Sequence, residues 1–254
     1  MILVIKKKKI VLVSIIIVLI LTAVILINNV NIFTMAKNEF SKKLPVYSVD
    51  TDGKKIAITF DAAWGSDKTE QILDILSKNN AKATFFLVGF WIDENEELVK
   101  KISDYGCDIG NHSINHLDMT KLSKKEVEKE VLSVNEKLTA ITGKDVKYFR
   151  FPYGAYNSDL VSYINSKNMI PVQWSIDSLD WKKIQANEIL NRVSNNLKDG
   201  SIILFHNNSE HILQALPLVL ALIENRGYTT VTLSDLIFNE NYYIDNNGVQ
   251  HLNN

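Results

Sequence analysis

His112 and His116 stand four positions apart in the run His112-Ser-Ile-Asn-His116. On a helix that spacing sets both imidazoles on one face, a chelating arrangement for zinc or a similar divalent ion. Other polar residues carry complementary chemistry. Asp61 follows a short apolar run. His206 ends the run Ile202-Ile203-Leu204-Phe205 and reads either as a packed core residue or as a general acid or base. Arg150 precedes the rigid turn Phe151-Pro152-Tyr153-Gly154, a place suited to holding a carboxylate or an anion. Asp180, beside Trp181, reads either as a capping residue or as the carboxylate that orients a histidine. The single cysteine, Cys107, cannot form an internal disulfide and reads as a small buried hydrophobe.

These residues are spread along the chain, so a fold must gather them. Strand-like and helix-like segments alternate from Lys55 onward. Strands are predicted at Lys55 to Phe60, Ala83 to Val88, Cys107 to Gly110, Val146 to Phe151, Ile170 to Ser175, Ser201 to Phe205 and Thr229 to Leu233. Helices are predicted at Asp67 to Asn79, Glu94 to Ser103, Ser123 to Ile141, Ser158 to Lys167, Ala186 to Leu197 and Ile212 to Asn225. Ser123-Lys124-Lys125-Glu126 is a capping box, and Gly143 stops the helix it opens. About seven βα units imply an α/β fold with a parallel sheet curled into a closed or nearly closed barrel. Working residues in such barrels sit at the C-terminal ends of strands. Asp61, His112, Arg150, Asp177, Asp180 and His206 all fall there, so they converge on one rim.

The 254 residues do not read uniformly. Residues 1–9 form a basic segment ending in Lys6 to Lys9, and residues 10–27 are uncharged and rich in Ile, Leu and Val. As a helix rising about 1.5 Å per residue, that run is about 27 Å long, close to the thickness of a bilayer core. The charge bias sets the N-terminus in the cytoplasm and the rest outside, with the run read as an uncleaved signal anchor and a cleaved signal peptide as its rival. Residues 28–53 read as a polar linker in which Ile32, Phe33, Val46 and Tyr47 could pack on the domain, 54–237 as the α/β domain and 238–254 as a C-terminal tail without a legible pattern. The net charge of −1 gives no reason to expect nucleic acid as a partner.

Taken together, the motifs resemble the polysaccharide deacetylases, the NodB-homology domain of carbohydrate esterase family four. Thr59-Phe60-Asp61, His112-Ser-Ile-Asn-His116, Arg150-Phe-Pro-Tyr-Gly154, Asp177-Ser-Leu-Asp-Trp181 and Leu204-Phe-His206 match the five family motifs in family order. The resemblance covers about Lys54 to Ile237. It implies a distorted (β/α) barrel and removal of acetyl groups from a glycan. It also implies Asp61 as base, Arg150 as its holder, and His112 and His116 as metal ligands. Tyr153 would donate its backbone N–H to the oxyanion, and His206 would be the acid oriented by Asp180. Trp181 and Leu204 would shape the acetyl pocket.

One position departs from the pattern. The family's usual third metal ligand, the second Asp of its first motif, is Ala62 here, followed by Ala63-Trp64-Gly65. Two imidazoles alone make a weak zinc site. Three outcomes stay open: Asp67 reaches back as a substitute ligand, the metal binds weakly, or the site is metal-free. Asp67 is equally an N-cap. The Ala-Ala-Trp-Gly variant and the anchored, single-domain layout resemble the PdaB-like deacetylases of spore-forming bacteria, implying a sporulation role on peptidoglycan. The alternatives are a catalytically impaired glycan-binding protein of the spore envelope and an O-acetyl polysaccharide esterase.

Overall fold

The computed structural model describes residues 19–23, 25–26 and 43–253. They fall in two units, 1–42 and 43–254. In the first unit, residues 19–23 and 25–26 are helical (α1). The basic segment 1–9, most of the apolar run 10–27 and most of the linker 28–53 lie outside the described residues. Among the described residues no helix is long and apolar enough to cross a membrane.

The second unit runs β1 (Ser48–Val49), β2 (Lys55–Ala62), α2 (Thr69–Lys78), β3 (Ala83–Leu87), α3 (Gly89–Glu94), α4 (Glu96–Asp104), β4 (Asp108–Asn111) and α5 (Lys124–Thr142). It continues through β5 (Tyr148–Phe149), α6 (Ser158–Ser166), β6 (Ile170–Pro171), β7 (Ile176–Asp177), α7 (Ala186–Asn196), β8 (Ile202–His206) and α8 (Ile212–Asn225). Last come β9 (Thr229–Val231), α9 (Leu233–Leu236), β10 (Tyr242–Ile244) and β11 (Val249–Leu252). Parallel strands form a half-barrel in the order β6-β5-β4-β3-β2-β8-β7, and β9 pairs with the start of β2.

The closed or nearly closed barrel expected from the repeat count is not reached. The edges are β6 and β7, where one long strand was expected over Ile170 to Ser175. Pro171 offers no N–H to a ladder, and the Gln173 N–H turns away to the Val46 carbonyl at 2.7 Å. The segment between the two edges therefore pairs with residues ahead of the barrel.

Those residues correct a second expectation. Val46, within the segment read as linker and one of the residues there able to pack on the domain, is fully buried and bridges to Val172, so the linker reading fails at its C-terminal end. β1 pairs in parallel with β11, and β10 pairs antiparallel with β11, so the segment read as a patternless tail forms a second, three-stranded sheet.

β2 is a nearly continuous apolar run, as a strand covered on both faces requires. Its side chains alternate between faces. Ile56, Ile58, Phe60 and Ala62 pack into the large cluster that also holds residues of α2, α4, α7 and α8. Phe60 stacks on Phe85 at 5.0 Å and lies 5.8 Å from Phe205. Thr59 and Asp61 take the opposite face, toward the barrel interior. α5 opens on the predicted capping box, and Gly143 ends it with a left-handed φ of 68°.

Candidate active site

Asp61, near the end of β2, lies in register with His206 on β8. Arg150 follows β5 and is fully buried. Its Nη1 donates to Asp61 Oδ1 and to Thr59 Oγ1, each at 2.8 Å; its Nε and Nη2 donate to the carbonyls of Val172 and Gln173 at 3.3 and 3.0 Å. The guanidinium carbon stands 4.1 Å from the centre of the Phe86 ring. Phe86 fits because residue 110 is glycine: a Cβ there would lie 2.5 Å from the ring. Burial acts to raise the Asp61 carboxyl, but Arg150, helped by His112 and His206, holds it below the usual carboxylate range.

The two histidines converge differently from the helical pair expected. His112 follows β4, and the chain turns through left-handed φ values at Ser113 (66°) and His116 (53°). The rings end 4.8 Å apart at 74°. Glu130 of α5, itself buried, holds the turn: its carboxylate accepts from the backbone N–H of Ile114 and Asn115 and from the Asn115 amide, at 3.0, 2.8 and 2.6 Å. Gly89 lets α3 close over the same turn, since a Cβ there would lie 2.8 Å from Ile114 Cα. His112 Nδ1–H donates to the Arg150 carbonyl at 2.8 Å, which leaves the Nε2 lone pair 3.4 Å from Asp61 Oδ2. Burial holds His112 below the usual histidine range and lowers His116 to about 4, with His112 adding to the second shift.

His206 forms the second pair. Its Nδ1 bonds Asp180 Oδ1 at 2.7 Å, while its own backbone N–H donates to Asp180 Oδ2 at 2.8 Å. Both carboxylate oxygens are engaged, so the imidazole is fixed relative to its own main chain. Burial works against the imidazolium, but the Asp180 hydrogen bond and charge outweigh it and raise His206 above the usual histidine range. Asp177 instead accepts from the Leu179 N–H at 2.8 Å, so Asp180 is the partner of His206.

One cleft of about 830 Å³ joins these groups; its lining includes Asp61, His112, His116, Tyr153, Trp181, Leu204 and His206. Tyr153 sits in a left-handed turn at φ 59°, a conformation that costs a non-glycine residue about 1–3 kcal/mol and gathers at working sites. Leu204 is buried, whereas Trp181 is half-exposed and forms an open wall, not a closed acetyl pocket.

The residues present do not fit a three-ligand metal centre. Ala62 is fully buried on the helix-facing side of β2. Asp67 is exposed and does not line the cleft, so it does not replace the missing ligand. His116 Nδ1 is buried without a hydrogen-bond partner. Among the described residues no three His, Cys, Asp or Glu side chains group to hold a metal ion. Elsewhere, Cys107 is buried and its thiol is pushed up to about 11 by that burial, as an inert packed residue should be.

Three supporting residues escaped the sequence reading. Thr59 bridges Arg150 Nη1 and the Ile203 carbonyl. Glu130 holds the His112–His116 turn. Asn207 donates its backbone N–H to the Asp61 carbonyl at 3.2 Å and its side-chain amide to Gly65 O and Thr69 Oγ1 at 2.8 and 3.1 Å. Thr59 stands inside the first motif with no role given to it, Asn207 follows a motif residue, and Glu130 looked like one more charge on an amphipathic helix.

Residues 48–172 match the polysaccharide deacetylase family. The chain is 33% identical over 193 residues to the uncharacterized protein YlxY of Bacillus subtilis, covering 76% of this chain and 60% of that one. It is 34% identical over 186 residues to a peptidoglycan-N-acetylglucosamine deacetylase of Bacillus cereus, covering 72% and 68%. Among solved structures, a CE4 family pseudoenzyme from Bacillus anthracis superposes with a TM-score of 0.74 at 30% identity, covering 84% of this chain and 74% of that one. A mutant of that pseudoenzyme with restored enzymatic activity also gives 0.74, at 32% identity, with 79% and 74% covered.

Proposed function

The chain belongs to the polysaccharide deacetylase family, hydrolases of C–N bonds, and on that premise we propose that it hydrolyses the acetamido bond of N-acetylated sugars in a peptidoglycan-type glycan. The proposed setting is outside the cytoplasmic membrane, in sporulation or cell-wall modification, with the apolar run 10–27 as anchor. One observation carries the chemical reading. A carboxylate paired with a buried guanidinium and an imidazole paired with a buried carboxylate face one cleft, Asp61 on Arg150 and His206 on Asp180.

An amide needs an activated nucleophile, a stabilised oxyanion and a protonated leaving nitrogen. Asp61 Oδ2, the oxygen not held by Arg150, takes the proton of an attacking water. The Tyr153 backbone N–H donates to the developing oxyanion. His206 passes its Nε2 proton to the departing amine while Asp180 keeps the ring oriented. Leu204 bounds the acetyl methyl, and Trp181 flanks the sugar. No step is assigned to a metal.

A second reading draws on the missing ligand and on the pseudoenzyme likeness: a chain that binds glycan with impaired catalysis. An esterase acting on O-acetyl groups would use the same machinery on a better leaving group. Acetate release by the purified chain from N-acetylated and from O-acetylated glycan separates all three. The deacetylase reading requires release from the N-acetylated glycan that disappears in Asp61→Asn and in His206→Ala. Glycan binding with no release from either substrate overturns it.

A further inference from the structure

Exposed aromatic rings are few in the unit 43–253: Trp64, Tyr153, Trp181 and Tyr243. All except Tyr243 stand at the cleft that holds Asp61 and His206. A half-exposed indole adds little to a core, and such rings gathered at a cleft mark a binding surface. Trp64 is the one among them to which the family motifs assign no role.

Its position is built from below. The Gly65 carbonyl accepts from Trp91 Nε1 and from Asn207 Nδ2, both at 2.8 Å. Gly65 itself turns the chain at φ +68°. Asn207 is fully buried and adjoins His206, so the loop bearing Trp64 is tied to the strand bearing the acid. The Trp64 ring leans on Phe90 at 6.1 Å and meets His116 edge-on at 5.0 Å and 70°. Tyr153 meets the other side of the cluster, 4.6 Å from His116 at 70°. Trp64, His116 and Tyr153 thus make one continuous bank. Trp181, next to the Asp180 that holds His206, lines the same cleft after β7, which lies beyond β8 in the sheet, with Lys182 Nζ 5.0 Å from the centre of its ring.

We propose that Trp64 is a sugar-stacking subsite beside the reacting sugar, so that the chain selects a glycan of several units over a single N-acetyl sugar. The axial C–H bonds of a pyranose carry partial positive charge and suit the negative face of an indole, while the ring hydroxyls stay in water. The site spans more than one sugar because Tyr153 and Trp181 follow β5 and β7, strands on either side of the β2–β8 pair that carries Asp61 and His206. The inference rests on the deacetylase reading for the nature of the ligand, and it is tested by binding, without turnover.

The dissociation constants of N-acetylglucosamine and of its β-1,4-linked tetramer are measured by calorimetry on the full-length chain carrying Asp61→Asn. The tetramer should bind at least about tenfold more tightly than the single sugar, an increment of the size a stacked aromatic contributes. Trp64→Ala should collapse that ratio to near one, and Trp64→Phe should restore part of it. Thermal unfolding reports whether each variant is folded, and the Phe variant keeps a ring against Phe90 if the Ala variant does not fold. An unchanged ratio in folded Trp64→Ala or Trp64→Phe protein, or no tetramer preference in the Asp61→Asn parent, overturns the subsite. Length-dependent binding that needs Trp64, together with no acetate release from the wild-type chain, would keep the subsite and remove the deacetylase reading.

Discussion

Removing the Arg150 guanidinium should be among the most damaging single changes in the domain, and its pH dependence should identify the reason. Arg150→Met keeps much of the side-chain volume and deletes the charge. The lost ion pair to Asp61 spans 2.8 Å, and neither side chain has appreciable contact with water. Breaking such a pair from one side costs about 3–5 kcal/mol, because the remaining charge stays buried. The carbonyls of Val172 and Gln173 lose donors as well, each worth about 1 kcal/mol. A loss of about 5–7 kcal/mol at neutral pH follows, measurable by urea unfolding. In the wild type the Asp61 carboxyl lies below its unfolded value, so its contribution is present above the unfolded pKa and is lost as pH falls through the folded one. In Arg150→Met, burial is opposed only by the weaker pull of His112 and His206, and the Asp61 carboxyl rises. The sign then reverses: the variant is relatively more stable in acid and loses stability as pH rises through the new pKa. Adding Asp61→Asn to Arg150→Met should recover about 2 kcal/mol or more, since the stranded charge is gone. A cost below about 1 kcal/mol, or strict additivity in the double variant, would refute the reasoning.

Other expectations follow from the same geometry. Acetate release should fall on the acid side as Asp61 takes a proton, below the usual carboxylate range, and on the alkaline side as His206 loses one, above the usual histidine range. Asp180→Asn should pull the alkaline limb to lower pH and reduce turnover by roughly 10²- to 10⁴-fold, since the acid loses its orienting carboxylate; a pH–rate profile reads both. Glu130→Ala strips a buried acceptor from three donors of the His112–His116 turn, so unfolding should become easier by about 2–4 kcal/mol, with Glu130→Gln intermediate. Elemental analysis after dialysis should find no stoichiometric zinc, and Asp67→Ala should change nothing in that measurement. Retained zinc that Asp67→Ala removes would restore the substitute-ligand outcome.

Much of this molecule was legible in the sequence where pattern and chemistry coincide. The predicted helix Ile212 to Asn225 is α8 as observed, and the capping box placed the start of α5. The pairing of His206 with Asp180 followed from the family motif, and the two carboxylate contacts agree with it. What escaped depends on distant partners. Val46 belongs to the fold because Val172 meets it, far along the chain. The hairpin of β10 and β11 contains strand formers, Tyr242, Tyr243, Ile244 and Val249, but its strands are short and set among asparagines, so no alternation stands out. Its turn was marked by Asp245-Asn246-Asn247-Gly248, where Asp245 accepts from the Asn247 and Val249 N–H groups and Gly248 takes a positive φ of 80°. The helical spacing of His112 and His116 was the wrong period: a left-handed turn held by Glu130 brings the rings together. Ala62 was visible as a missing ligand, but only the alternation of β2 shows its methyl committed to the core beneath the helices.

The parallel pairing of β1 with β11 has a consequence for how the polypeptide is made. Ser48 and Val49 find their partners at Val249 and Gln250, so β1 waits for the other strands and helices of this unit to be made before its partner appears. Loop closure over such a separation comes late in folding. Until residues 249–252 emerge, β1 presents an unpaired edge, the kind of surface that recruits the wrong strand. A nascent chain shielded until its last strand is available avoids that hazard, and one stalled just before Val249 does not.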